Sequence, residues 1–186
     1  MMMKGGIRIL AIEDSPFSRS EKRCRLVGVV GRSDIIEGVL SFYVDVDGYD
    51  SAKEIIKHLR ASRFIDQVRL LALNGNTVAG MNIIDIAQIS KELKIPIIAV
   101  TRKKPHPSSL KRAVKAAFKS GYKRKTDMID RLSKTVTISK GSDYYIQLVG
   151  IDAKDSARYI DNSVGLLRLA HIIASGIATG ESKGRL

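Results

Sequence analysis

Residues 8–16 read RILAIEDSP, a short apolar run that halts at Asp14-Ser15-Pro16. Isoleucine-rich runs of this length favour a strand, and proline has no amide hydrogen for a sheet ladder. Strand one therefore ends at a carboxylate. Outward from it, residues 25–30 (RLVGVV) and 39–46 (VLSFYVDV) are again β-rich, and Gly31-Arg32-Ser33-Asp34 between them is turn material. These three strands predict an antiparallel meander.

From Ser51 the period changes from two to about 3.6. Ile55, Ile56 and Leu59 fall on one helical face among Lys53, Glu54, Lys57 and Arg60, with Asp50 or Ser51 as cap. Residues 68–73 (VRLLAL) read as a buried strand ending at Asn74-Gly75-Asn76. Residues 83–93 repeat apolar positions at helical spacing, and residues 95–100 (IPIIAV) return to strand. This is a right-handed βαβ unit. A further helix over 108–118 sets Leu110, Val114, Ala117 and Phe118 against Lys111, Arg112, Lys115 and Lys119. Residues 135–139 and 144–149 read as a hairpin around Lys140-Gly141-Ser142-Asp143. Helical stretches near 155–160 and 166–173 close the chain, and the tail from Gly180 reads as frayed.

Three antiparallel strands, then helix, strand, helix, strand and further helices: this order predicts an α/β fold of ribonuclease-H-like architecture. It has a mixed sheet covered by helices, in one domain over residues 1–186. A doubly wound dinucleotide-binding fold is disfavoured by the antiparallel opening and by the absence of a glycine-rich loop after strand one.

Bulk charge narrows the partner. The 32 Lys and Arg against 19 Asp and Glu leave a formal charge of +13, which attracts polyanions. Residues 102–134 concentrate it, with twelve Lys and Arg against Asp127 and Asp130. Arg102, Lys103, Lys104, Lys111, Arg112, Lys115, Lys123, Arg124 and Lys125 are the candidate phosphate contacts, and Tyr122 can stack on an unpaired base. The competing reading is an ordinary solvated helix face. Cys24 is the only cysteine, which rules out an internal disulfide and a cysteine-based zinc site. No secretory signal or long apolar run is present, so a cytoplasmic protein without membrane contact is expected, and an oligomer is left open. His58, His106 and His171 lack metal-ligand spacing and read as surface or packed residues. No nucleophilic triad can be assembled.

Chemistry is expected at the carboxylates near strand ends. Asp14 follows strand one, while Asp45, Asp47 and Asp50 surround the end of strand three. Clustered carboxylates must bind divalent cations or shift their protonation, and magnesium or manganese is the simplest occupant. The alternative is that these aspartates only form turns and caps. Asn74-Gly75 follows the fourth strand at the mouth of the sheet, where an amide oxygen is an uncharged and poorer magnesium ligand.

Residues 9–17 (ILAIEDSPF), 47–51 (DGYDS), 73–85 (LNGNTVAGMNIID), 95–105 (IPIIAVTRKKP) and 167–174 (LRLAHIIA) together resemble the archaeal endonuclease dU family, itself similar to endonuclease V. The resemblance spans nearly the whole chain. It implies a metal-dependent site that cuts one strand near a deaminated base, using acids after strands one, three and four. Asp14 matches the first and Asp50 approximates the second, with Asp for Glu. The third falls on Asn74, and Gly80 stands where the relative has a histidine. Asp152 or Asp155, at the start of a late helix, is the implied replacement metal ligand. The family name implies DNA containing deoxyuridine as substrate. An everted nucleotide would then sit in a pocket built from Ser15, Phe17, Gly75, Gly80 and Asn82. The competing function is a non-catalytic nucleic-acid-binding module with an incomplete metal site.

Overall fold

A computed structural model describes residues 6–32, 35–133, 135–140 and 144–182. Lys134 of the basic segment, parts of both expected turns (33–34 and 141–143) and the end of the tail lie outside the described residues.

Strands β1 (Arg8–Asp14), β2 (Arg23–Arg32) and β3 (Ile35–Asp45) form the expected meander. Helix α1 (Ser51–Arg60) leads to β4 (Val68–Asn74), which lies parallel to β1. The short strands β5 (Thr77–Val78) and β6 (Asn82–Ile83) pair with each other apart from the main sheet. Helix α2 (Ile86–Leu93) follows, then β7 (Ile97–Thr101), parallel to β4. The expected start of α2 at residue 83 moves to Ile86 because the Asp85 carboxylate accepts from the Gln88 amide and caps the helix there. Helices α3 (Pro107–Ala117) and α4 (Tyr122–Leu132) precede β8 (Val136–Lys140) and β9 (Tyr144–Val149), and α5 (Ala153–Ser156) and α6 (Ile160–Thr179) end the fold.

The sheet order is β3-β2-β1-β4-β7-β9-β8. An antiparallel meander followed by parallel β4 and β7 on its inner side is the ribonuclease-H-like plan, and β9 and β8 extend it antiparallel. Alternation along the central strands divides their side chains between two faces. Leu10 and Ile12 of β1, with Leu71 and Leu73 of β4, pack beneath α1, α2, α3 and α4. Ile9 and Ala11, with Leu70 and Ala72, pack beneath α6 through Leu166, Leu167 and Ala170. β1 and β4 are thus buried on both faces, which explains their near-continuous apolar runs. The C-terminal ends of β1, β4 and β7 come together at one rim of the sheet. Among the described residues, no helix is long and apolar enough to cross a membrane.

Candidate active site

β1 and β4 are in register with Ile12 opposite Leu73, so the residues after each pair, Glu13 and Asn74, meet at the rim. The Asn74 Nδ2 donates to Glu13 Oε1 at 3.0 Å. Glu13 follows Ile9 and Ala11 on the face that α6 covers, and α6 brings His171 Nδ1 to 3.4 Å from the same carboxylate oxygen. Glu13 is 5% exposed. Burial pushes its carboxyl up to about 8; the Asn74 amide pulls down and the neighbouring Asp14 charge pushes up.

Asp14 points to the other face, where its Oδ2 accepts from the Ala79 amide at 2.7 Å. Burial raises its pKa, against the Ala79 hydrogen bond and the proximity of His171. Asp47 grips the same turn: its amide donates to the Ala79 carbonyl at 2.8 Å and its Oδ1 accepts from the Met81 amide at 2.7 Å. The turn needs glycine at 80, where φ is +83° and a Cβ would stand 2.5 Å from Asp47 Oδ1.

The expected ligand set of Asp14, Asp50 and Asp152 does not assemble. Among the described residues no group of three or more His, Cys, Asp and Glu is placed to hold a metal ion. The Asp50 carboxylate is engaged by Asn82 Nδ2 at 2.7 Å and by the Asp45 amide at 3.2 Å, which fixes the β3–α1 turn. Asp152 caps α5, accepting from the Asp155 amide at 2.7 Å. It follows β9, which runs antiparallel to β7 with Val149 opposite Ile97, so Asp152 and Asp155 lie at the far end of the sheet from Asp14.

The expected substrate pocket is partly internal scaffolding. Ser15 is buried and its hydroxyl donates to the Arg25 carbonyl. Asn82 is buried and ties Asp50 to the Asp45 carbonyl. Phe17 and Gly80 do face each other, with the phenyl ring 3.7 Å from the place of a Gly80 Cβ, and Gly75 (φ +74°) looks onto open space. Gly80 therefore serves the Asp47 turn.

Among the expected phosphate contacts, Arg102, Lys103, Lys104, Arg112, Lys115, Lys123 and Arg124 are exposed, the last lying over the Tyr49 ring. Lys111 is half-buried and pairs with Asp130. Lys125 is a correction: it is fully buried, its ammonium donating to the Asp47, Gly48 and Met81 carbonyls, and it cannot reach a phosphate.

Two site residues escaped the sequence reading. Glu13 was a charge inside an apolar strand, which is expensive unless it has a function or partner. His171 stood in a largely apolar stretch of the late helix, one turn after Leu167. Its Nδ1 is buried without a hydrogen-bond partner. An imidazole nitrogen without a hydrogen bond, 3.4 Å from a buried acid, fits a cation held by Glu13 and His171 with Asn74 beside them. It does not form a closed cage, so water would complete the shell.

The family model described as Endonuclease dU matches residues 5–178. A UPF0215 protein of Methanothermobacter thermautotrophicus is 40% identical over 190 residues, covering 98% of this chain and 93% of its own. One from Pyrococcus furiosus is 34% identical, covering 97% and 96%. The crystal structure of a protein of unknown function from Archaeoglobus fulgidus superposes with a TM-score of 0.82 at 29% identity, over 92% of this chain and 98% of that one. Endonuclease V of Ciona intestinalis, in complex with a 24mer DNA containing an inosine followed by a ribo-adenosine, gives a TM-score of 0.51 at 10% identity, over 86% and 77%. That likeness is one of fold, the ribonuclease-H-like one.

Proposed function

The chain belongs to the Endonuclease dU family, and from that premise we propose that it is a divalent-metal-dependent endonuclease acting on DNA that carries deaminated, deoxyuridine-type bases. The observation that carries this reading is the meeting of Glu13, Asn74 and His171 at the rim where β1 and β4 end. A magnesium or manganese ion there would polarise a phosphodiester and lower the pKa of a bound water.

The chain's own residues prepare that place. Asn74 orients the Glu13 carboxylate through its 3.0 Å hydrogen bond. His171 places a ring nitrogen that makes no hydrogen bond 3.4 Å from the same oxygen. Asp14, anchored on the Ala79 amide, adds negative charge beside Glu13, which attracts a divalent cation to this rim. Exposed Arg102, Lys103 and Lys104 leave the end of β7 next to Asn74 and can neutralise backbone phosphates without reading sequence. The DNA held by the Ciona protein of the same fold supports this choice of partner.

The test is incubation of the purified protein with a uracil-bearing duplex and magnesium or manganese, with a chelator control. Metal-dependent nicking is expected, and Glu13→Gln is expected to abolish it while keeping salt-sensitive binding. Glu13→Gln cutting as fast as wild type rejects the site. The second reading, a non-catalytic binding module, is favoured by the uncharged amide at Asn74. It predicts DNA binding by the wild type with no nicking under either metal.

A further inference from the structure

Beyond the acid site, the end of β4 carries a polar atom that no internal partner satisfies. Asn76 Oδ1 is buried without a hydrogen bond. Its orientation is dictated by its neighbours. Gln147, on β9 and 5% exposed, donates its Nε2 to the Leu132 carbonyl at 3.2 Å and to Thr135 Oγ1 at 2.9 Å. A backbone carbonyl can only accept, so the Gln147 nitrogen must lie on that side and its Oε1 must face Asn76. Asn76 meets that oxygen with its Nδ2. What remains on Asn76 is a fixed acceptor, left unpaired at a cost in free energy unless a ligand donates to it.

Asn76 lines a cavity of about 270 Å³ between the ends of β4 and β7 and the helices α3 and α4. That volume is near the lower end for small-ligand pockets, about 300 Å³. Pro105, Leu110 and Ile129 supply apolar walls, suited to the faces of a planar ring. Asn74 forms part of the same wall while its amide holds Glu13, so whatever enters lies beside the acid site. Gly75 between them has no atom within 4 Å of its would-be Cβ. A nucleotide backbone can approach closely there.

We propose that this cavity receives the everted base and that Asn76 selects it, its carbonyl oxygen accepting a hydrogen bond from the ring N–H that deamination creates. In cytosine the ring N3 is an acceptor; in uracil it carries a hydrogen. Adenine and hypoxanthine differ in the same way at N1. One fixed acceptor therefore admits both deaminated products and opposes both parents, whose lone pair would face its own. Sites built around a buried hydrogen bond discriminate strongly against analogues that cannot make it. Gln147 is a positioning residue in this scheme, since it prevents the Asn76 amide from rotating to present its nitrogen. The inference rests on the nuclease reading for its everted nucleotide.

The test separates binding from cutting. Short single strands carrying one deoxyuridine, deoxycytidine or N3-methyldeoxyuridine are titrated by fluorescence anisotropy in chelator. The same strands are then assayed for nicking in manganese. Wild type is expected to bind the deoxyuridine strand about tenfold more tightly than either other strand. Asn76→Ala and Gln147→Leu are each expected to bring that ratio within about threefold. The N3-methyl probe needs no variant, so a misfolded substitution does not protect the idea. Equal binding of all three strands by wild type overturns the inference, and so does undiminished discrimination by a folded Asn76→Ala. Nicking by wild type with equal binding leaves the nuclease reading standing without this pocket. A deoxyuridine preference without nicking sinks the nuclease reading and keeps the pocket.

Discussion

Lys125→Met tests how the fold holds the turn on which Asp14 and Asp47 rest. The Lys125 Nζ donates to the Asp47, Gly48 and Met81 carbonyls at 2.8, 2.7 and 2.8 Å, and lies 4.0 Å from the Tyr49 ring centre. Hydrogen bonds to a charged donor contribute about 1.5–3 kcal/mol each, or about 6 kcal/mol for three. Against this, burial pushes the ammonium down from 10.5 to about 8, with the Asp47 charge resisting and Arg124 adding to the fall. That shift corresponds to about 3 kcal/mol of desolvation cost. The net loss expected for Lys125→Met at pH 7 is therefore about 3 kcal/mol. The pH dependence follows from the same shift. Between pH 8 and about 10.5 the unfolded lysine keeps a proton that the folded one has released, so the unfolded state binds more protons and stability rises with pH. The wild type should gain up to about 3 kcal/mol relative to the methionine variant across that window. Denaturant unfolding at pH 7, 8, 9 and 10 measures both quantities. A variant within about 0.5 kcal/mol of wild type at pH 7, or a difference that stays flat to pH 10, refutes the reasoning.

Asn74→Asp puts a second carboxylate against Glu13. Without metal it should lose about 2 kcal/mol of stability, and magnesium should restore its melting temperature more than it shifts that of wild type. Asp14→Asn keeps an oxygen for the Ala79 amide but removes a charge, so melting should hold while the magnesium concentration for half-maximal nicking rises about tenfold. Replacing Arg102, Lys103 and Lys104 together by alanine should lower the slope of log affinity against log salt by about 2 to 3 without changing base preference, as read by anisotropy.

The central strands were legible because burial on both faces leaves few sequences but apolar ones, and β1, β4 and β7 carry such runs. Helix α4 was not, since residues 122–125 read Tyr-Lys-Arg-Lys and the core position at 125 holds a lysine where the helical period calls for an apolar residue. Three carbonyls from segments about 40 to 80 positions away, together with the Tyr49 ring, make that burial tolerable. Strands β5 and β6, two residues each, are below any pattern's length. The stretches near 155–160 and 166–173 read as two helices because Asn162, Ser163 and Gly165 interrupt the apolar period between them, yet Ser163 is buried within one continuous α6 that starts at Ile160. The error at Asp152 has another origin. Which end of the sheet it occupies depends on β9 running antiparallel to β7, a pairing no local residue announces.

The alternation of β1 shapes the site. Consecutive strand residues point to opposite faces, so Glu13 and Asp14 cannot share one face, although their charges are close enough to interact. The fold meets each acid separately, Glu13 with His171 from α6 and Asp14 with the Ala79 turn that Asp47 and Lys125 brace from below. Asn74, one strand over, touches the first acid and walls the cavity on the second acid's side of the sheet, where α3 and α4 pack. A charged residue at 74 would bind a cation more tightly, but it would confront the Glu13 carboxylate whenever the cation leaves. The amide instead donates its N–H to the acid, and its oxygen would be free to meet a metal without adding charge to the pair. The departure at Asn74 is therefore compatible with catalysis, provided that Glu13 and His171 carry the metal that Asp50 and Asp152 do not reach.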